Sequence, residues 1–390
     1  PSFGFRLAVD ERRIVVCNTS SSGSAYVFDL DSPTPSEPIA TLANTMSDSE
    51  YGSYAAISGD RVVIGSYGNG SGLQYNGRVF VYELGGVTPG TPVLVLDNPV
   101  PAQYAFFGDA VSISGSRLAV GSRGRVVGGV TYVGSTYVYD LDSATPSAPQ
   151  WEIDNPDLGS GDYFGAAVAV LGGQLVVGAP GNDSFAGGAG IGFVFDLAGE
   201  SPTVPIRELV HSSPSSGDAF GSSVAISRRM MVVGANSAGH ASVFDLEGGV
   251  PTEPAFWLQP SGSTGGYGFG QSVSISGHIA VVGAPLESNF GRAYVYDLAA
   301  ESPGLPILEI ANPGLGSGDQ FGCSVAVSGR LIVVGALYSD TGASNAGKAY
   351  VFDLDAASPT SPVAILENPN PSSGAGFGDC VAIHGTRVVV

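Results

Sequence analysis

Lysine is almost missing from this chain: one residue, Lys348, in 390. Lys and Arg together number 15 against 35 Asp and Glu, a formal net charge of −20. Nucleic acids and anionic membrane surfaces are held by basic patches, so neither is an expected partner. Charged residues make up only 13% of the chain, about half the usual share. Ser, Gly, Thr and Asn take their place. Cysteine is scarce too. Cys17, Cys323 and Cys380 fall at three unrelated places, with no CxxC and no His/Cys cluster. Zinc is therefore not expected. Three thiols allow one disulfide of unreadable connectivity, and buried thiols are the simpler expectation. No apolar run is long enough to span a membrane, so no insertion is expected. No run of helical length carries the 3.6-residue period. No leader or lipid motif is found. The chain opens on Pro1 and stops inside an apolar run, Arg387 to Val390, and is expected to be a segment of something longer.

What is present is glycine, 58 residues, at fixed places in a repeat. In 164–180, FGAAVAVLGGQLVVGAP, two β-branched-rich runs flank the pair Gly172-Gly173. This pattern predicts a β-hairpin. The aromatic–Gly pair that opens it recurs with its aromatic at Phe3, Tyr51, Phe107, Phe164, Phe220, Phe269, Phe321 and Phe377, spaced 48 to 57 residues apart. Each complete unit carries four short apolar runs in the same order, separated by Gly, Pro, Ser and Asn. A period of this length with four strands per unit points to propeller blades. The expected fold is all-β: a β-propeller of four-stranded antiparallel blades, seven to eight in number, from seven complete repeats plus half of an eighth. A single domain over 1–390 is expected.

Phe164-Gly165 with Gly178-Ala179-Pro180, and Phe269-Gly270 with Gly283-Ala284-Pro285, resemble the FG-GAP repeat of integrin α-subunits. Residues 317–336, SGDQFGCSVAVSGRLIVVGA, are closer still to bacterial secreted FG-GAP proteins. The resemblance implies a propeller, a secreted or cell-surface location and a ligand-binding face. Integrin repeats often place a calcium loop between their first and second strands. Here that connection is a tight turn, such as Ser58-Gly59-Asp60 or Ser276-Gly277-His278, with too few oxygen ligands for calcium. Calcium binding is not carried over, and no metal or cofactor is expected.

Strand alternation puts the loops between second and third strands on one face with the unit-to-unit linkers. These loops vary in length and bear aromatics, and function tends to sit on variable loops held by a rigid scaffold. The candidate ligand-binding residues are Tyr67, Tyr75, Arg123, Arg125, Tyr132, Asp183, Phe185, Phe290 and Tyr338. Aromatics of this kind stack on sugars or anchor a protein partner. They also fold back over blade ends, which is the commoner outcome.

Acidic residues end the third run of every complete unit: Asp29, Glu83, Asp140, Asp196, Asp245, Asp297 and Asp353. A role repeated in every blade is normally structural, and a turn cap is expected rather than a metal collar. Asp162, Asp218 and Asp319, in Gly-Asp-x-Phe-Gly, are expected to fix the linker turn. The glycine-rich stretch 68–72 lacks the Gly-Lys-Ser/Thr of a phosphate loop. His211, His240, His278 and His384 fall in different repeat positions, and no catalytic constellation is legible. The functional expectation is a non-enzymatic secreted or cell-surface adhesion module for a glycan or protein ligand. The alternatives are a structural spacer in a larger surface protein and a propeller hydrolase or lyase using the central funnel.

Overall fold

The fourth repeat shows how one unit is made. Its first strand, Ala167–Leu171, pairs antiparallel with Gln174–Ala179, and Leu171 faces Gln174 across the turn, where Gly172 adopts φ +57°. A third strand, Ile191–Asp196, and a short fourth, Arg207–Leu209, complete the sheet in the order 1-2-3-4. Seven such four-stranded sheets and one final two-stranded hairpin, Ala382–His384 with Arg387–Val389, account for every strand described. One 3-10 turn, Glu287–Asn289, is the only helical element among the described residues. The computed structural model describes residues 2–390 except 11, 20–22, 47, 69–71, 212, 229, 236, 238, 247–253, 261–267 and 341. Three residues of the glycine-rich stretch 68–72, and Asn236 of the fifth variable loop, therefore lie outside the described residues.

The residues group into two compact units. One holds Pro1–Ser184 with Phe193–Glu208, the other Phe185–Gly192 with Leu209–Val390. The first contains the first three sheets and most of the fourth. The second contains the fifth to seventh sheets and the final hairpin. In each unit the core lies between neighbouring sheets, because a lone sheet of short strands cannot bury its apolar faces. In the first unit, Val63, Val79 and Val81 of the second sheet meet Phe107, Leu118, Val120, Tyr137 and Tyr139 of the third. In the second unit, Ile279, Val281 and Val295 of the sixth sheet meet Phe321, Ile332, Val334 and Phe352 of the seventh.

The recurrent sequence signature is a packing device. Phe107 is fully buried and sits edge-on to Tyr137 at 5.6 Å, and Phe321 repeats this with Tyr350 at 5.6 Å. The glycine after each aromatic takes a left-handed backbone: φ is +91° at Gly165 and +94° at Gly322. Its carbonyl lies against the glycine of the preceding sheet's second strand. A Cβ on Gly121 would overlap the carbonyl oxygen of Gly165, and one on Gly283 that of Gly322. Neighbouring sheets are also tied at their first turns. Gly115 N–H donates to Ser58 Oγ at 3.1 Å, Gly172 N–H to Ser114 Oγ at 3.2 Å and Gly329 N–H to Ser276 Oγ at 3.1 Å. The Ser-Gly turns thus serve sheet stacking. None of the three cysteines is in a disulfide.

Candidate ligand-binding face

The variable loops and the linkers meet through a short backbone ladder. Phe106 N–H donates to Tyr75 O at 2.8 Å and Tyr163 N–H to Tyr132 O at 3.0 Å; in the second unit Ala219 N–H donates to Gly188 O at 3.1 Å and Gly376 N–H to Asn345 O at 3.2 Å. Both partners in each pair hold a left-handed backbone. The linker position just before the Phe-Gly pair has φ +55° at Phe106, +56° at Tyr163, +56° at Ala219 and +53° at Gln320. The loop position two residues before the closing glycine is Tyr75 (φ +54°), Tyr132 (+56°), Gly188 (+66°), Asn289 (+63°) and Asn345 (+54°). Gly and Asn are the residues that tolerate this conformation, and a bulky side chain there is strained. The second and third repeats nevertheless place tyrosine at it.

The outcome is an aromatic platform in the first unit. Tyr75 lies nearly parallel to Phe106 at 5.5 Å, to Tyr104 at 5.7 Å and to Tyr67 at 6.4 Å between ring centroids. Tyr104 also has a positive φ, +60°, and its hydroxyl donates to Gln74 Oε1 at 2.9 Å. Tyr104 is exposed; Tyr67, Tyr75 and Phe106 are half-buried. The Arg123 guanidinium lies 4.9 Å over the Phe106 ring and pairs with Asp109. Asp109 is only 3% exposed, and its Oδ1 has no partner among the described residues. Burial pushes its carboxyl up to about 8, against the pull of Arg123. Burial, with Glu50 nearby, also raises the Tyr67 phenol. Next to Tyr75 is an open depression of about 450 Å³ lined by Ser49, Glu50, Gly72, Gln74 and Tyr75. At the equivalent place one repeat on, Tyr132 contacts exposed Tyr163 at 5.7 Å.

The structure thus brings together Tyr67, Tyr75 and Arg123, and sets Tyr132 in a second pair. Arg125 lies against the strands: its Nε donates to Ser135 Oγ at 3.0 Å, and its guanidinium pairs with Glu152 and Asp154. Asp183 is exposed on the fourth loop in the first unit. Phe185, 52% exposed, and the exposed Phe290 and Tyr338 belong to the second unit. Tyr104, Phe106 and Tyr163 stand on linkers, whereas the sequence signal of variable length and aromatic content marks the loops. The linker position before each Phe-Gly pair shares their face and would have found Phe106 and Tyr163.

The carboxylates have structural partners. Asp29, Asp140, Asp196, Asp297 and Asp353 each accept the N–H two residues on, at 2.9–3.1 Å, as an Asx turn does. Glu83 instead accepts Arg61 Nε at 2.6 Å. Asp162 is buried and accepts Asn155 Nδ2 at 2.7 Å and Asn182 Nδ2 at 3.0 Å. Asp319 accepts Asn312 Nδ2 at 2.9 Å. In the fifth repeat's linker a histidine, His211, stands at the Asn position seven residues before Asp218. Its ring lies 4.7 Å from His240 and edge-on to Trp257 at 4.8 Å. His211 Nδ1 accepts the Ser213 N–H at 3.3 Å, so the neutral ring carries its proton on Nε2. Among the described residues no group of three or more His, Cys, Asp or Glu is placed to hold a metal ion.

Up-and-down four-stranded sheets that, within each unit, share cores with their neighbours and are locked to them by glycine-to-carbonyl contacts define a β-propeller. Residues 152–195, 206–244, 258–296 and 311–352 match the family model of the FG-GAP repeat, and the chain is an FG-GAP repeat protein. Each matched stretch runs from the fourth strand of one sheet through the third strand of the next. The first three repeats build the same sheets. A search of curated proteins by sequence finds no match. No helix among the described residues is long and apolar enough to cross a membrane.

Proposed function

We propose that the protein is a non-enzymatic, extracellular binding module, displayed or secreted, that meets a glycan or protein ligand with the loop-and-linker face of its first unit. One observation carries this reading: tyrosines at left-handed positions where other repeats have Gly or Asn. Strain of this kind persists where the surrounding structure imposes it, and it clusters at ligand clamps. Here it holds aromatic rings at the mouth of a polar depression. The FG-GAP repeat suits a binding or structural module, and such repeats are typical of extracellular proteins. The non-enzymatic reading rests on the make-up of this face, which gathers aromatic rings, while the carboxyl raised toward neutrality beside them, Asp109, is buried under its pair with Arg123.

The test is retention of the fluorescently labelled protein on isolated cell-envelope and extracellular-matrix material. A double variant, Tyr75→Asn with Tyr132→Asn, should lose most of the retained signal. Ser116→Asp, on the opposite turns, should keep it. Equal retention of all three proteins would remove the platform from the function, and no retention of the parent protein would favour a spacer role.

A further inference from the structure

Resting on that reading, we infer that the ligand is a neutral polysaccharide, with the Tyr67/Tyr75/Tyr104/Phe106 platform and the Tyr132–Tyr163 pair as saccharide subsites in adjacent repeats.

Four observations converge on this class. The platform rings present faces and hydroxyls rather than aliphatic anchors, and Tyr104 and Tyr163 are exposed. A pyranose ring offers the matching surface: an axial C–H patch for the aromatic face and equatorial hydroxyls around it. The depression beside Tyr75 supplies what those hydroxyls need. Among the described residues its lining joins a serine hydroxyl, a carboxylate and an amide (Ser49, Glu50 and Gln74) to one aromatic, with no aliphatic side chain. A pocket for a peptide anchor residue would be lined mainly by apolar groups.

Charge points the same way. Arg123 is paired with Asp109, and Arg125 with Glu152 and Asp154. Arg125 is thereby committed, Glu50 lines the depression, and a chain of net charge −20 repels polyanions. Sulfated and uronic-acid polymers are thereby disfavoured. The last observation is repetition. A left-handed tyrosine facing a left-handed aromatic linker residue occurs in two consecutive repeats, Tyr75 with Phe106 and Tyr132 with Tyr163. A polymer of identical units can occupy both, and the second contact then adds to the first without a new partner.

The decisive experiment titrates the protein calorimetrically with neutral hexasaccharides of glucose, xylose, mannose and N-acetylglucosamine, with dextran sulfate as the charged control. In parallel, envelope material is pretreated with periodate, which cleaves sugar diols, or with protease. At least one hexasaccharide should bind, with affinity unchanged between 50 and 500 mM NaCl, whereas dextran sulfate should not. Tyr75→Asn should weaken binding at least tenfold, and Tyr75→Phe less than threefold. Asn fills this position in two other repeats, so the variant should fold, as near-ultraviolet dichroism will report. Periodate should abolish retention on envelope material. Retention lost to protease but not to periodate would overturn the polysaccharide assignment while sparing the binding module. Hexasaccharide binding that Tyr75→Asn and Tyr132→Asn leave intact would overturn the subsite assignment. No retention and no titration signal would overturn both.

Discussion

Tyr132 holds φ +56° with a single ring neighbour among the described residues, Tyr163. A left-handed backbone costs a bulky residue about 1–2 kcal/mol, less for Asn. A ring contact of this sort contributes about 0.5–1.5 kcal/mol. At mid-range the strain exceeds the contact by about 0.5 kcal/mol, part of which Asn retains, so Tyr132→Asn should leave the urea midpoint level or slightly raised while weakening ligand binding. Were the tyrosine retained for packing alone, the variant would lower the midpoint. Two other residues contribute to the pH response with opposite sign. Burial holds the Asp109 carboxyl up to about 8, so the folded state keeps a proton that the unfolded chain releases near pH 4. Asp109 therefore makes stability fall as pH rises from about 4 to about 8, and Asp109→Asn should flatten that stretch of a melting-temperature profile. His211 acts in the other direction. Burial lowers its imidazole, so stability is lost as pH drops below the ordinary histidine range near 6.5. His211→Asn should remove that loss. Asn is the residue at this place in the linkers that end in Asp162 and Asp319, where its amide donates to the carboxylate. Failure of the variant to flatten the acid limb would place the sensitivity elsewhere.

At the scale of the element, the hairpins and turns were legible because their chemistry is local. Gly172-Gly173 between β-branched runs is a turn whatever surrounds it, and Asp followed by a Ser/Pro-rich stretch caps its own backbone. The platform was only half legible. Nothing in the letters around Tyr75 announces a left-handed φ; that emerges when it is set against Gly188, Asn289 and Asn345 at the same place in other repeats. Arg125 stands two residues from Arg123 in a variable loop, and only the third and fourth strands of its sheet, which put Ser135, Glu152 and Asp154 around it, separate it from the ligand-binding candidates. Glycine roles divide in the same way. Gly115, at φ +61°, has nothing near the place of a Cβ, so Gly115→Ala carries only the conformational penalty, about 1 kcal/mol. Gly121 lies under the carbonyl of Gly165 in the next sheet, and Gly121→Ala must push the neighbouring sheets away from each other. Its cost should reach about 3 kcal/mol or more. Equal urea midpoints for the two variants would mean that the glycine-to-carbonyl contact does not hold neighbouring sheets together.

Over the whole molecule, 35 acidic residues face 15 basic ones, and many of the basic ones are committed to local pairs. Arg78, for example, is nearly buried and bonds Asp48 at 2.7 Å and Asp97 at 2.6 Å. Salt acts oppositely on the two contributions. Short, buried pairs such as Arg78–Asp48 are screened little, because no ions enter between them. The unpaired excess of negative charge acts over longer distances and through solvent, where the Debye length falls from about 30 Å at 0.01 M to about 10 Å at 0.1 M. Self-repulsion should therefore be relieved before attraction is lost. Raising NaCl from 10 to 300 mM should move the urea midpoint upward and then level off, as the surplus charge predicts. A midpoint that falls over this range would mean that exposed pairs such as Arg330–Asp355 carry more of the stability than their solvent-screened positions allow. The same titration separates stability from recognition. A neutral ligand held by ring faces and hydroxyls keeps its affinity while the midpoint climbs, whereas a ligand held by charge would lose affinity over the same range.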